Sequence, residues 1–203
     1  QKQWNNIFER KDYMERVNLL AAMKDRMPEK RYIHTIGVTD TAMALAEQFG
    51  QNPKKAEIAA ILHDSCKYAD REWMKQTIIE QKMDPTLLVY HHELWHGPVG
   101  AYVAKQEFGV EDEDMLNAIR FHTTGRIGMS DLEKIIYIAD MIEPNRKFPD
   151  VDMLREASKS MELNDLMITC LSHSIQFLMS KHQPVFPDSF NCYNDLLLTK
   201  KGI

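Results

Sequence analysis

The sequence predicts an all-α fold, a single compact bundle of helices. Apolar residues recur every three or four positions along most of the 203-residue chain, which is the spacing of one helix face. Capping residues, glycines and prolines separate these stretches. No stretch alternates apolar and polar residues as a strand does, and no internal repeat is found. The length suits one domain with a substantial core, which we place at residues 28–203, with residues 1–27 as an N-terminal helical extension.

The composition excludes several classes of protein. A net charge of −5 gives no field that would attract nucleic acid, so no nucleic-acid partner is expected. Cys66, Cys170 and Cys192 are odd in number and far apart, which favours reduced thiols and argues against a zinc–cysteine site. No apolar run reaches the roughly 18 residues of a membrane helix, and no signal-peptide pattern is present. We therefore expect a cytoplasmic protein without a membrane partner.

Prolines and glycines separate the first five of ten predicted helices. The ten are predicted over residues 7–27, 29–49, 54–62, 71–83, 98–109, 111–121, 131–142, 153–158, 164–181 and 193–198. Pro28 ends the first helix or starts the second, and Gly50 closes the second at the position after its C-cap. Asn52 is the N-cap of the third, with proline at its first position. Pro85 breaks the fourth helix, and Pro98 opens the fifth.

Charges and caps define the last five helices. Acidic residues begin the sixth, where they complement the helix dipole. Ser130 and Glu133 form a capping box, so the seventh helix is the best-defined element of the chain. Pro144 ends it. Apolar spacing, with Phe177 on the buried face, predicts the eighth and ninth helices, and a loop over residues 183–188, stiffened by two prolines, precedes a last short helix.

An inward-facing group of histidines and aspartates is the first candidate site. The apolar stretch 56–62 runs directly into His63 and Asp64, so this pair is expected inside the fold. A buried carboxylate needs a partner or a cation, and imidazole beside carboxylate oxygen is a common shell for a divalent metal. His34 and Asp140 also lie on apolar helix faces. Salt bridges and an ordinary core histidine are the alternatives.

Two further segments carry candidate ligands. His96 precedes a Gly-Pro turn, where it can be held against a neighbour. Residues 122–126 contain a histidine, two threonines, a glycine and an arginine. These donors could converge on phosphate oxygens, and the alternative is an ordinary polar helix end.

Five motifs contain these residues in a fixed order. They are R-Y-x-H-T-x-G-V over residues 31–38, L-H-D-x-x-K over 62–67, H-G-P-V-G-A over 96–101, H-T-T-G-R over 122–126 and E-K-I-I-Y-x-A-D-x-I-E-P-x-R over 133–146. Over about residues 28–198 the chain resembles the HD-domain superfamily of metal-dependent phosphohydrolases, in its YqeK-type branch. Only Ser65 and Cys66, inside the second motif, look unusual for that branch, and neither is an expected ligand.

The resemblance implies metal-dependent, symmetrical hydrolysis of diadenosine tetraphosphate to two ADP. The metal ligands of the superfamily match His34, His63, Asp64 and Asp140. This nitrogen and oxygen shell suits iron, manganese or another divalent ion, and iron is our first expectation. Asp64 would also orient or deprotonate the attacking water, and Lys67 would neutralise a phosphate oxygen. Both are predicted catalytic residues.

The roles of the remaining candidates stay open at this point. His96 and His122 could complete a second metal site bridged by Asp64, or they could donate hydrogen bonds to phosphates. Substrate contacts are expected from Arg31, Thr123, Thr124, Arg126, Arg146, Gln183 and Asp188. For Arg31 the alternative is an exposed ion pair, and for the loop 183–188 it is a plain connector.

Hydrolysis of diadenosine tetraphosphate is the first candidate function. The second candidate function is another nucleotide phosphohydrolase or phosphodiesterase of the superfamily, and the third is a non-catalytic nucleotide-binding regulator. The expected partner is a dinucleoside polyphosphate or a nucleotide such as ADP. A homodimer is a candidate assembly.

Overall fold

Ten α-helices and no strand occur in residues 14–202, the part of the chain that the computed structural model describes. The predicted all-α class is therefore confirmed. The helices are α1 (Arg16–Lys24), α2 (Glu29–Gln48), α3 (Pro53–Leu62), α4 (Arg71–Glu80), α5 (His96–Gln106), α6 (Glu113–Arg120), α7 (Asp131–Ile142), α8 (Val151–Ser158), α9 (Leu163–Ser180) and α10 (Pro187–Lys200). Two 3-10 turns, Pro85–Leu88 and His92–Leu94, lie between α4 and α5. The predicted first helix starts at residue 7, and its part before residue 14 lies outside the described residues.

Helix α7 is surrounded by other helices. Every residue from Leu132 to Ala139 is buried, and α2, α3, α6, α8 and α9 pack against this helix. The predicted capping box is confirmed. The Ser130 hydroxyl accepts from the Glu133 N–H at 3.1 Å, and a Glu133 carboxylate oxygen accepts from the Ser130 N–H at 2.8 Å. The last turn of this buried helix carries Asp140.

Helices α2 and α3 pack against each other and against α7. Gly50 follows α2 with a φ of 68°, in the left-handed region that glycine adopts without strain. The Asn52 side chain then accepts from the Lys54 N–H at 2.9 Å and begins α3, as predicted. All residues from Ala56 to Leu62 are buried. The chain therefore enters the interior at the end of α3.

Some predicted details are wrong at helix ends and on helix faces. Helix α10 begins at Pro187, so Asp188 lies in its first turn rather than in a loop, because proline fits the first helical position. Helix α5 begins before Pro98, which is tolerated in the first turn, where backbone N–H groups lack intrahelical partners. Phe177 is 54% exposed. It lies two positions after buried Ile175 and therefore on the opposite face of α9.

The first described helix joins the main core. Leu19 and Met23 of α1 are buried, and α1 packs against α3. The division at residue 27 stays a prediction. Among the helices of residues 14–202, none is long and apolar enough to cross a membrane.

Candidate metal centre

Four histidines and two aspartates meet at one buried centre. His34 lies on α2, His63 and Asp64 directly follow α3, His96 is the first residue of α5, His122 lies just after α6, and Asp140 is in the last turn of α7. The fold thus brings together the six residues that the sequence singled out as metal ligands or phosphate contacts. Their roles as ligands stay a prediction.

One half of the centre contains two histidine nitrogens and two carboxylate oxygens. His34 Nε2 lies 3.0 Å from Asp140 Oδ1, and His63 Nε2 lies 3.1 Å from Asp64 Oδ2. The crossed distances, His34 to Asp64 and His63 to Asp140, are both 3.7 Å. His34, His63 and Asp64 each place a ligand atom close enough to the others to hold one metal ion.

The other half contains the second oxygen of Asp64. Its Oδ1 lies 3.2 Å from His96 Nε2 and 3.7 Å from His122 Nε2. The two Nε2 atoms are 3.1 Å apart. These three side chains form a second group that could hold an ion. Asp64 therefore joins the two halves, with one carboxylate oxygen in each.

The hydrogen bonds of the four Nδ1 atoms set the orientation of the imidazole rings. Nδ1 of His63, His96 and His122 each bonds the backbone carbonyl three residues earlier, and Nδ1 of His34 bonds the Glu143 carboxylate, at distances of 2.6, 2.6, 2.7 and 2.9 Å. A carbonyl oxygen only accepts hydrogen bonds, so Nδ1 must carry the hydrogen. In each neutral ring the Nε2 lone pair then points at the centre. Metal-binding histidines are commonly held in this way.

Several buried atoms of the centre lack hydrogen-bond partners. Within the described residues these include Nε2 of His34, Nε2 of His63 and Oδ1 of Asp64. Unpaired buried polar atoms are rare in folded proteins. In addition, Nε2 of His96 and Nε2 of His122 lie 3.1 Å apart, although Nδ1 of each ring already donates to a backbone carbonyl. A cation among these atoms would give the unpaired nitrogen and oxygen atoms a partner and would lie between these two Nε2 atoms. The donor set therefore fits a divalent metal.

The electrostatics of the centre also favour a cation. Burial lowers the pKa of His63, but the carboxylates of Asp64 and Asp140 outweigh it and raise this pKa to about 10. Burial likewise opposes ionisation of both carboxyls, yet the neighbouring histidines hold the pKa of Asp64 and of Asp140 well below the usual range. Burial lowers the pKa of His122 to about 4, so this ring is neutral near pH 7.

Glu143 is a part of the centre that the sequence interpretation did not single out. It is 1% exposed. One oxygen accepts from His34, and the other accepts from the backbone and side-chain N–H groups of Asn145 at 2.7 and 3.0 Å. A Cβ atom on Gly37 would overlap this second oxygen. The sequence feature that could have identified Glu143 is its position in the motif over residues 133–146, directly before Pro144.

Positive side chains lie around the centre. Arg31 donates to Asp64 Oδ2 at 2.5 Å, and Arg146 donates to Asp140 Oδ1 at 2.7 Å. Both arginines are therefore paired with carboxylates of the centre. Lys67 pairs with Glu93 and lines a cleft of about 340 Å³ that reaches His96.

The other predicted substrate contacts lie in different surroundings. Arg126 forms two hydrogen bonds with Glu133, at 2.6 and 2.9 Å. Thr123, Thr124 and Asp188 line a cleft of about 520 Å³ that is not lined by the six residues of the centre. Gln183 is exposed. That Gln183 and Arg126 contact the substrate stays a prediction.

Comparison with known proteins assigns the family. The model of the HD domain matches residues 31–145, a range that contains all six residues of the centre. A "Bis(5'-nucleosyl)-tetraphosphatase, symmetrical" of Bacillus subtilis (strain 168) is 54% identical over 91% of this chain and 98% of its own length. The protein of the same name from Halalkalibacterium halodurans is 49% identical over 93% of this chain and 100% of its own length.

A solved structure agrees with this assignment. It is described as a "predicted HD superfamily hydrolase involved in NAD metabolism" from Clostridium acetobutylicum. It superimposes with a TM-score of 0.86 at 36% sequence identity, over 91% of this chain and 98% of that chain. The chain therefore belongs to the HD-domain family, together with the symmetrical tetraphosphatases that it resembles along nearly its whole length.

Proposed function

We propose that the protein is a hydrolase that cleaves diadenosine tetraphosphate at its centre into two ADP. The observation that carries this proposal is the position of Asp64, whose two oxygens each lie beside a pair of histidine Nε2 atoms. Such a centre suits hydrolysis of a phosphoanhydride. The names of relatives at 54% and 49% identity support the choice of substrate.

We further propose that the centre holds divalent ions, with iron as the expected metal. His34, His63, Asp64 and Asp140 would hold the first. His96, His122 and the second oxygen of Asp64 would hold another. When bound, a divalent ion supplies Lewis acidity, which activates water near neutral pH and offsets charge on phosphoryl oxygens.

The second ion site is preferred over a pair of hydrogen-bond donors for one reason. Nδ1 of His96 and of His122 already donates to a carbonyl, so Nε2 could donate to a phosphate only in a protonated ring. The pKa of His122 is lowered to about 4 by burial. A neutral His122 offers a lone pair to the centre, which is what a cation requires.

The chain's own side chains position the reactants. The water oxygen bonds to one central phosphorus, the bond from that phosphorus to the central bridging oxygen breaks, and ADP leaves with this oxygen. We assign Asp64 to orienting the attacking water, and the proton of that water passes to solvent. Asp64 is not assigned as the proton acceptor because the neighbouring histidines hold the pKa of this carboxyl well below the usual range. Lys67 would neutralise charge on the leaving ADP from the cleft that reaches His96.

The remaining predicted contacts complete the proposal. Arg31 and Arg146, beside the two carboxylates of the centre, would bind phosphate oxygens of the substrate. Thr123, Thr124, Arg126, Gln183 and Asp188 are proposed contacts farther along the substrate. The homodimer and the cytoplasmic location stay predictions.

A nucleotide panel tests the substrate assignment. Purified protein would be assayed with diadenosine tetraphosphate, diadenosine triphosphate, ATP and a cyclic dinucleotide, with products separated by chromatography. We expect the tetraphosphate to react fastest and to give ADP alone. Faster turnover of mononucleotides or of a phosphodiester would favour another HD-family phosphohydrolase. Tight nucleotide binding without turnover by metal-loaded protein would favour a regulator.

A further inference from the structure

The C-terminal end of α7 lacks backbone donors that its carbonyls would ordinarily use. Pro144 has no N–H, so the carbonyl of Asp140 has no backbone donor four residues later. The N–H of Asn145 donates instead to the Glu143 side chain, and the N–H of Arg146 donates to the Glu143 carbonyl. Side chains must therefore complete this helix end if its carbonyls are to be paired.

Two arginine side chains supply the missing donors. Arg146 Nε donates to the Asp140 carbonyl at 2.8 Å. Arg155, on α8, donates from Nε to the Ile142 carbonyl at 2.9 Å. One of its terminal nitrogens donates to the carbonyls of Glu143 and Arg146, at 2.7 and 2.9 Å. Arg155 thus pairs with three carbonyls at this helix end, where a cation also complements the helix dipole.

The residues that Arg155 holds also contact the first half of the metal centre. The Glu143 carboxylate accepts from His34, and a terminal nitrogen of Arg146 donates to the Asp140 carboxylate at 2.7 Å. Glu143 and Arg146 are the two residues whose carbonyls share one nitrogen of Arg155. Arg155 therefore fixes the backbone from which both contacts extend, although it does not itself face the centre.

The surroundings of Arg155 show which of its contacts matter. Its neighbour Leu154 is buried, and α8 packs against α7 and α9, so the start of the side chain is anchored. Its remaining terminal nitrogen donates to Asp152 at 2.8 Å. That side chain is 92% exposed, and exposed ion pairs contribute little. The bonds to the three carbonyls are therefore the contacts through which Arg155 acts.

We propose that Arg155 is a positioning residue of the first half of the metal centre. It holds the end of α7 so that His34 and Asp140 keep the orientation that binds an ion. This role rests on the proposed function, in which these two side chains bind metal. The other half does not depend on the same backbone, because the rings of His96 and His122 are held by carbonyls three residues before them. Loss of Arg155 should therefore affect one half alone.

Metal titration of each half by itself tests the proposal. Arg155→Met would be combined with His122→Asn, which impairs the second half, and separately with His34→Asn, which impairs the first. Affinity for manganous ion would be measured by competition with a chromophoric chelator. In the His122→Asn background we expect Arg155→Met to weaken binding roughly tenfold, as for other partners that orient metal ligands. In the His34→Asn background the affinity should not change. A general loss of stability would not discriminate between the halves.

Hydrogen exchange of the metal-free protein gives a second readout, which does not depend on metal. In Arg155→Met, residues 143–150 should exchange faster than in the wild type, and residues 122–126 should exchange equally. Asp152→Asn removes only the exposed partner of Arg155 and is the matched control, which should behave as wild type in both measurements. Arg155→Lys keeps the charge but not the planar fork of donors, so its effect should be intermediate. It carries the test if Arg155→Met folds poorly.

Two kinds of failure can be told apart. If the wild type bound no manganous ion, the proposed metal centre and the role of Arg155 would both be wrong. If the wild type bound the ion, unchanged affinity on adding Arg155→Met to His122→Asn, or unchanged exchange of residues 143–150, would overturn the role of Arg155 alone. Equal weakening in the His122→Asn and His34→Asn backgrounds would also overturn it, because the effect would then be general.

Discussion

Nδ1 of His34 donates to Oε1 of Glu143 at 2.9 Å, across 109 residues of sequence, and both side chains are buried. This bond turns Nε2 of His34 toward Asp140. Because the other Glu143 oxygen accepts two hydrogen bonds from Asn145, the carboxylate cannot move freely. Glu143 thus positions a proposed metal ligand without itself facing the centre.

Glu143→Gln should weaken metal binding. Glutamine has one acceptor oxygen, so either His34 or Asn145 would lose its acceptor. We expect affinity for the divalent ion to fall by roughly 10- to 100-fold, as is typical when a partner of a metal-binding histidine is changed. A competition titration with a chromophoric chelator measures this. Glu156→Gln, on the exposed face of α8, is the control, and equal affinities in the two variants would contradict the role of Glu143.

Gly37→Ala should also disturb the pair of His34 and Glu143, because Gly37 lies against the Glu143 oxygen that does not bond His34. Alanine normally favours a helix interior over glycine by about 1 kcal/mol, but here the new methyl group would overlap a buried oxygen of Glu143. We expect a net destabilisation of about 1–3 kcal/mol from overpacking, measured by urea unfolding. In a double-mutant cycle, Glu143→Ala should relieve part of this cost. Strict additivity of the two substitutions would show that the overlap is absent.

The stability of the metal-free protein should fall as the pH rises above neutrality. The pKa of His63 is raised to about 10 from 6.5, so its stabilising effect is complete below about pH 6.5 and is lost progressively towards pH 10. We expect the melting temperature to decrease between about pH 6.5 and 8.5, below the ordinary cysteine pKa of 9.0. Metal-free His63→Asn should show a weaker decrease. A wild-type melting temperature that stayed constant or rose over this interval would be inconsistent with a protonated His63.

Arg126→Ala should destabilise the fold. Arg126 holds both oxygens of Glu133, which is 1% exposed and belongs to the capping box of α7. Without Arg126 this buried carboxylate keeps the Ser130 N–H as a donor but loses its charged partner, which should cost roughly 1–3 kcal/mol, measured by chemical unfolding. Lys147→Ala, on a residue after α7, provides a control. Steady-state kinetics then tests the separate prediction that Arg126 contacts substrate. A rise in KM would support that role, and an unchanged KM would remove it.

The features that sequence predicted best are local. The capping box at Ser130 and the Asn52 cap depend on residues within one turn, so their sequence spacing was sufficient to predict them. The inward positions of His34 and Asp140 followed from helical spacing. Sequence did not predict the hydrogen bond between Glu143 and His34 or the ion pair between Arg126 and Glu133. The partner of a polar side chain depends on tertiary packing and on its χ angles, which sequence spacing does not determine. The prediction that Phe177 lies on the buried face of α9 was wrong for a related reason. An apolar side chain does not by itself establish burial.

Metal dependence of the reaction tests the central claim most directly. The purified protein would be assayed for conversion of diadenosine tetraphosphate before chelation, after removal of metal, and after addition of ferrous or manganous ion, with metal content measured at each stage. We predict that ADP is the sole nucleotide product, that the metal-free protein is inactive, and that added ion restores activity to wild type but not to Asp140→Ala. Full activity of verified metal-free protein, or formation of ATP and AMP, would contradict the account.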